Sequence, residues 1–145
     1  MVLQSMRVLI VEDDPLVAME AETMVAELGG VVAGTARSVL AATEMAQKCV
    51  FDCVLLDVNL RGEMALGLAG ELKRRGIPFV FCTAYARAFE GFEQVPHVTK
   101  PYSSDRLASG FCEAFPAAIA HAGSLGPPPA SRPLITANHR KCGAV

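Results

Sequence analysis

The stretch FDCVLLDVNLRG, residues 51–62, decides which fold the sequence predicts. An apolar run, 53–56, leads directly into Asp57 with no turn residue in between. A continuous apolar run of this kind is typical of a strand that is covered on both faces, as in a parallel sheet. Asp57 stands at the carboxyl end of that strand, where a desolvated and unpaired acid costs several kcal/mol. We therefore expect the fold to supply Asp57 with partners.

Short apolar runs alternate with helical patterns on both sides of this strand. Besides 53–57, strands are predicted at residues 7–11, 31–36, 78–83 and 97–99. Helices are predicted between them, beginning at Asp14-Pro15, at Ser38, after the loop 58–67, and at Ser103 or Ser104. This alternation predicts an α/β fold, namely a flavodoxin-like, doubly wound sheet of five parallel strands in the order 2-1-3-4-5.

Composition limits the classes of function. The chain has 145 residues, of which 52% are hydrophobic, and its net charge is -2. Such a chain is expected to be globular, and it offers no basic face for nucleic acid. No apolar run reaches the roughly 18 residues of a membrane span, and we identify no signal peptide. The five cysteines form no CxxC pair, which favours a reduced, cytoplasmic setting.

A change of composition divides the chain. From residue 123 the sequence GSLGPPPASRP is rich in glycine and proline, which is typical of a flexible or polyproline-like segment. We predict one domain over residues 1–122 and a flexible tail over residues 123–145. Pro116 is expected to end or kink the last helix of the domain, because proline lacks a backbone donor.

Polar residues follow the predicted strands at one edge of the sheet. Glu12 and Asp13 follow the first strand, and Asp57 ends the third. Thr83 ends the fourth strand, and Lys100 follows the fifth. Ligands of an open parallel sheet bind outside the carboxyl ends of its strands, so we expect these groups to converge. Three gathered carboxylates repel one another, and a hard cation such as Mg²⁺ relieves the conflict. Lysine and threonine suit phosphate oxygens, so the set fits a carboxylate that attacks phosphorus and is held as an acyl phosphate.

Each of these residues has an ordinary explanation when it is considered alone. Acids at strand ends are common because loops begin there, and Asp14 is better explained as a helix cap than as a metal ligand. Lys100-Pro101 alone is an ordinary solvated turn. The joint pattern, in this order and at these strand ends, favours a site.

The motifs VLIVEDDP, VLLDVNL, FVFCTA and VTKPY make residues 6–122 resemble the receiver domain of two-component response regulators. The resemblance implies that Asp57 is the phosphoacceptor. It also implies that Asp13 ligates Mg²⁺ directly and that Glu12 acts beside it largely through water. In this family a histidine kinase or a histidine phosphotransfer protein donates the phosphoryl group.

Further roles follow from the same resemblance. Asn59 is expected to ligate the metal through its backbone carbonyl, and Thr83 and Lys100 to hold the phosphoryl group. Asn59 and Tyr85 are expected to flank the path of the water that hydrolyses the acyl phosphate. We predict that the Tyr85 ring shields the phosphoryl group; the alternative is that it packs into the neighbouring segment or serves an output surface.

Three features depart from the usual family pattern. His97 stands three residues before the lysine, where the family usually has a switch Phe or Tyr, and Arg61 replaces a frequent proline. Only 16 residues separate Thr83 from Lys100, which is fewer than usual and predicts a shortened fourth helix. PFVFCT resembles the PFxFAT motif of the stand-alone alphaproteobacterial receivers nicknamed FAT GUY, whose fourth helix is reduced.

The leading hypothesis is therefore a stand-alone receiver that catalyses only its own phosphorylation and dephosphorylation and signals through an unidentified protein effector. The predicted tail is too short for a DNA-binding or enzymatic domain. The alternatives are a phosphate sink and a pseudo-receiver, a binding module that does not switch. A phosphohydrolase of the haloacid dehalogenase type is disfavoured, because its DxDxT motif follows the first strand whereas Asp57 follows the third.

Overall fold

The computed structural model of the chain describes residues 2–84 and 89–114. Along the chain, its elements are β1 (Arg7–Val11), α1 (Pro15–Glu27), β2 (Val31–Ala36), α2 (Val39–Lys48), β3 (Cys53–Asp57), β4 (Asn59–Leu60), β5 (Glu63–Met64), α3 (Leu66–Arg74), β6 (Phe79–Thr83), β7 (His97–Thr99) and α4 (Ser104–Ala114). Tyr85, Phe115, Pro116 and the tail 123–145 lie outside the described residues, so the predictions made for them stay predictions.

Five strands form one parallel sheet in the order β2-β1-β3-β6-β7. When only these long strands are numbered, this is the order 2-1-3-4-5, and the predicted flavodoxin-like fold is confirmed. The register places Val11 beside Leu56 and Asp57 beside Cys82. β1, β3 and β6 therefore end side by side at one edge of the sheet, each one residue further along than the strand before it.

The alternation of side chains along the strands creates two apolar cores. On β3, Val54 and Leu56 face the core beneath α2 and α3, whereas Cys53 and Leu55 face the core beneath α1 and α4. All of β3 is buried, including Asp57 at its end. This burial on both faces explains the unbroken apolar run of the sequence.

The helix starts follow the predicted capping chemistry. The Asp14 carboxylate accepts hydrogen bonds from the backbone N–H groups of Leu16 at 2.9 Å and Val17 at 3.4 Å, with Pro15 as the first helical residue. The Ser38 hydroxyl accepts from the Ala41 N–H at 3.1 Å. Both predicted caps are confirmed, and Asp14 is occupied as a cap, as its position before proline indicates.

A small hairpin follows β3, where the sequence predicted only a loop. β4 and β5 pair antiparallel, with Asn59 opposite Met64 and Leu60 opposite Glu63. Arg61 and Gly62 form the two-residue turn, with φ values of 53° and 84°. Positive φ at both turn positions is the type I′ geometry, which matches the twist of a hairpin.

The connection between β6 and β7 is short. Its described residues, 84 and 89–96, contain turns and no helix. Phe89 and Phe92 pack edge-on against Phe81 of β6, with ring centroids 5.6 and 5.7 Å away. Lys73 of α3 donates to the Gly91 carbonyl oxygen at 2.8 Å, and its ammonium lies 5.6 Å from the Phe92 ring centroid. Aromatic packing and one lysine therefore hold this segment against the sheet.

Among the residues that the structure describes, no helix has the length and apolar character needed to cross a membrane.

Candidate functional site

The carboxyl ends of the strands bring the predicted polar residues together. Glu12 directly follows β1, where its N–H donates to the Ala36 carbonyl oxygen at 2.9 Å. Asp57 ends β3 and Thr83 ends β6. The Lys100 N–H donates to the Thr83 carbonyl oxygen at 2.8 Å, which extends the pairing of β6 with β7 by one residue. The sheet thus fixes the backbone of each group.

Lys100 is the centre of the charged cluster. Its ammonium Nζ lies 2.7 Å from Glu12 Oε2 and 2.9 Å from Asp57 Oδ2. Both carboxylates are buried, and the lysine side chain is only 23% exposed. Such charge-assisted hydrogen bonds are short and strong when solvent is largely excluded. Asp57 therefore has the partner that its place at the end of a buried strand requires.

Burial also changes the protonation chemistry of the cluster. Burial raises the pKa of Glu12 from 4.5 to about 7; the negative charge of Asp57 acts in the same direction, and the hydrogen bond from Lys100 opposes both. Burial disfavours the charged form of Lys100, but its hydrogen bonds to Glu12 and Asp57 outweigh that effect and raise its pKa. Glu12 therefore takes up or releases a proton near neutral pH.

Three carboxylates form a set that suits a divalent cation. One oxygen from each of Glu12, Asp13 and Asp57 lies within 4.8 Å of the other two. Oxygen donors with access to water are the ligands that Mg²⁺ prefers, so the donor set fits this ion. The three residues line an open cleft of about 640 Å³, together with Thr83, Lys100 and Asn59. The cleft leaves room for both a metal and a phosphoryl group.

Asp13 and Asn59 occupy the rim of the cleft. Asp13 is half-buried, and its Oδ2 accepts from the Arg61 N–H at 3.1 Å. Burial raises the pKa of Asp13, but hydrogen bonds from Glu12 and from the Arg61 N–H outweigh it, so its pKa is lowered. Asn59 is exposed, and its N–H donates to Asp57 Oδ1 at 3.1 Å.

His97 and Thr83 differ in their access to the site. Thr83 is buried and lines the cleft together with Asp57 and Lys100. His97 is exposed and pairs in register with Phe81. Phe89, which the sequence did not single out, lines the same cleft. No periodic pattern marks Phe89, because it lies in a segment without helix or strand among its described residues.

Comparison with known proteins identifies the family to which the chain belongs. The family model described as "Response regulator receiver domain" matches residues 8–110. The solution structure of SdrG from Sphingomonas melonis Fr1 is 34% identical, with a TM-score of 0.69, and the match covers 79% of this chain and 98% of that one. The receiver-domain structure of PhyR from Erythrobacter litoralis is 32% identical, with a TM-score of 0.69, over 77% of this chain and 91% of that one. These neighbours fit the alphaproteobacterial subgroup that the sequence resembles.

The curated relatives are longer than this chain, and the similarity covers only part of each of them. The sensory transduction protein LytR from Staphylococcus haemolyticus is 30% identical over 109 residues, which is 70% of this chain and 42% of LytR. The chain spans about half the length of the curated relatives that it matches. The activities of those whole proteins therefore cannot be assigned to this chain from similarity over the receiver domain alone.

Proposed function

The chain belongs to the response regulator receiver family, and from that membership we propose that it accepts a phosphoryl group on Asp57 from a histidine kinase or phosphotransfer protein. One observation carries the proposal. Asp57 is buried at a strand end, 2.9 Å from the Lys100 ammonium, and its carboxylate clusters with those of Glu12 and Asp13. A purely structural role would not require a second and a third acid beside it.

We propose Glu12, Asp13 and Asp57 as the side chains that hold Mg²⁺, with the Asn59 backbone carbonyl as a further ligand. When bound, this ion supplies positive charge that offsets repulsion between the carboxylates and the incoming phosphoryl oxygens. Asp13 provides the most accessible of the three carboxylates, whereas Glu12 is buried against Lys100.

The transfer itself uses groups of this chain. An oxygen of Asp57 forms the new bond to phosphorus while the bond from phosphorus to the donor's histidine nitrogen breaks, and the nitrogen keeps the electron pair. The Asp57 side chain then becomes an acyl phosphate. Lys100 Nζ already contacts Asp57 and can shift to donate a hydrogen bond to a phosphoryl oxygen. The Thr83 hydroxyl donates a hydrogen bond to a second phosphoryl oxygen.

Protein partners then distinguish the phosphorylated form of the domain from the unphosphorylated form. Thr83 ends β6 directly before the short 84–96 segment, and Lys100 follows β7 and donates its N–H to the Thr83 carbonyl oxygen, so a shift of either residue acts on the segment, on β7 and on the chain that leads into α4. We propose this segment, β7 and α4 as the output face for a protein effector, with no role for nucleic acid or membrane. A cytoplasmic location belongs to the same proposal, because it rests on exchange with a histidine kinase. Tyr85 as a shield of the phosphoryl group remains a prediction.

Labelling with radioactive acetyl phosphate tests the proposal. The wild-type protein should gain one acid-stable phosphoryl group when Mg²⁺ is present and none when EDTA replaces it. Asp57→Asn and Asp57→Ala should abolish labelling, whereas the matched control Asp14→Asn should keep it, because asparagine caps a helix about as well as aspartate.

The same experiment separates the alternatives. A wild-type protein that takes no label is a pseudo-receiver, and one that releases phosphate over many turnovers is a phosphohydrolase. A protein that takes label without any change in amide hydrogen exchange over residues 89–112 acts as a phosphate sink. Stoichiometric label on Asp57→Ala would refute the acceptor assignment.

A further inference from the structure

The hairpin of β4 and β5 directs its backbone N–H groups toward the site. The Asn59 N–H donates to Asp57 Oδ1 at 3.1 Å, and the Arg61 N–H donates to Asp13 Oδ2 at 3.1 Å. The Gly62 N–H donates to Asn59 Oδ1 at 2.8 Å and so closes the turn on itself. Two of the three acids thus receive a donor from this one short element.

The turn conformation is unusual for the residue that forms it. Arg61 has φ 53°, and only one other non-glycine residue of the described ranges, Ser5, has a positive φ. A left-handed backbone is unfavourable for an L-residue with a side chain. The hairpin therefore retains a locally unfavourable conformation, and this conformation is the one in which the Arg61 N–H reaches Asp13.

Asp13 is the acid that gains most from such a contact. It lies at the rim and is half-buried, with Glu12 and the Arg61 N–H as hydrogen-bond partners, whereas Glu12 and Asp57 are buried and held by the Lys100 ammonium. A half-exposed carboxylate is free to rotate unless a donor fixes it, and fixing it in advance lowers the ordering cost of binding a ligand. The contact joins residues 48 positions apart, so it also fixes the loop after β1 to the loop after β3.

We propose that Arg61 is a positioning residue for metal binding and that it acts through its backbone N–H, not through its guanidinium. The hairpin presents this N–H to Asp13 and so prepares one carboxylate of the cation site. A proline at position 61 has neither the N–H nor access to φ 53°, and it could not do this. The inference rests on the proposed Mg²⁺ site and adds to it a residue that the acidic cluster does not include.

Mg²⁺ titration of the unphosphorylated, full-length protein, followed by calorimetry, tests this role. Arg61→Pro should weaken Mg²⁺ binding about tenfold, which is the scale of one lost hydrogen bond to a partly solvated carboxylate. Arg61→Gly keeps the N–H, removes the guanidinium and accepts a positive φ, so its Mg²⁺ affinity should equal that of the wild type. Equal losses in both variants would assign the effect to the guanidinium and overturn the inference.

A second control distinguishes loss of the Arg61 N–H from a change in the geometry of the turn. Gly62→Ala strains the turn at φ 84° but keeps the Arg61 N–H, and its added methyl group meets no atom within 4 Å. If Gly62→Ala weakens Mg²⁺ binding as much as Arg61→Pro does, turn geometry is responsible and the inference fails. It also fails if Arg61→Pro binds Mg²⁺ as the wild type does. Absence of Mg²⁺ binding by the wild type would instead refute the proposed metal site.

Amide hydrogen exchange keeps the inference testable if Arg61→Pro does not fold. In Asp13→Ala the Arg61 N–H loses its acceptor and should exchange several-fold faster than in the wild type. The Gly62 N–H, which donates to Asn59, serves as the internal reference and should not change. Acceleration of neither amide would show that the Arg61 N–H is not held by Asp13. Equal acceleration of both would show that Asp13→Ala opens the whole turn and not the Arg61 contact alone, and either result would overturn the inference.

Discussion

Glu12 gives the sharpest test of the electrostatics of this site. In the metal-free protein its pKa is raised from 4.5 to about 7, mainly because the side chain is buried. The folded chain therefore keeps a proton on Glu12 over a pH range in which the unfolded chain has already released it. That proton stabilises the fold below the unfolded pKa of 4.5, and the stabilisation is lost as pH rises through the folded pKa.

The size of the effect follows from the shift. Each pKa unit corresponds to about 1.36 kcal/mol, so a rise from 4.5 to about 7 predicts a loss of about 3 kcal/mol in the free energy of unfolding between pH 4.5 and pH 8. Lys100 does not act in this window, because its raised pKa lies above an ordinary value of 10.5. The lowered pKa of Asp13 affects the free energy of unfolding only below its ordinary value of 3.8, which lies outside this pH window.

Urea unfolding in EDTA at several pH values measures this loss. Glu12→Gln cannot ionise, so the free energy of unfolding of the wild type minus that of the variant should fall by about 3 kcal/mol from pH 4.5 to pH 8. Other titrating groups are common to both proteins and largely cancel in the difference. A difference that does not depend on pH would refute the assignment of this proton to Glu12.

Mg²⁺ provides an independent check of the same proton. A cation that binds the ionised carboxylate competes with the proton, so Mg²⁺ affinity should increase with pH and approach its limit above about pH 7. The increase is at most about tenfold per pH unit when one proton is displaced. A Mg²⁺ affinity that is constant from pH 5 to pH 8 would show that Glu12 is already ionised in the metal-free protein.

Three further predictions concern the metal ligand Asp13, the segment after β6 and two helix glycines. Asp13→Asn should weaken Mg²⁺ binding in a calorimetric titration much more than Asp14→Asn, because Asp14 is occupied as a helix cap; equal losses would contradict the assignment of ligand and cap. Lys73→Met should destabilise the 89–96 segment by roughly 1 kcal/mol in amide hydrogen exchange, through loss of a hydrogen bond and a cation–π contact, and α1 should not respond. Gly70→Ala should raise the free energy of unfolding by about 0.5–1 kcal/mol, because its added methyl group meets nothing within 4 Å in a helix. Gly110→Ala should gain less or lose stability, because its methyl group would lie 3.1 Å from Val80; equal gains in urea unfolding would contradict this packing.

The strands and their order were predictable because two simple rules govern them. Buried parallel strands require continuous apolar runs, and the helical pattern between them requires crossover connections. Once the order is set, the carboxyl ends of β1, β3 and β6 lie side by side at one edge of the sheet, and the convergence of Glu12, Asp57 and Thr83 follows without knowledge of any side-chain position. The caps at Asp14 and Ser38 were predictable because their chemistry is local.

The hairpin after β3 was not predictable by the same means. The usual signals for a two-residue turn are Asn-Gly and Asp-Gly, because those residues tolerate a positive φ. Here Arg61 takes the first turn position at φ 53°, and the contact with Asp13 that accompanies it joins distant parts of the sequence. The direct contact of Lys100 with Glu12 was missed for a related reason. The family resemblance assigned Glu12 to the metal through water, and only the packed structure brings Nζ and Oε2 to 2.7 Å.

Charge explains why these residues occur as a set. Three carboxylates and one ammonium group leave the cluster with a formal charge of -2 when all are ionised. A buried cluster with such a charge reduces it by taking up a proton, and the raised pKa of Glu12 is that response. A divalent cation would bring the cluster to neutrality and release the proton. Transfer of a phosphoryl group would then add negative charge beside Lys100, which already lies within hydrogen-bonding distance of Asp57. The acid at the end of the buried strand is thus one part of a charge balance that metal binding and phosphorylation would each shift, and the strand ends hold every member of it in place.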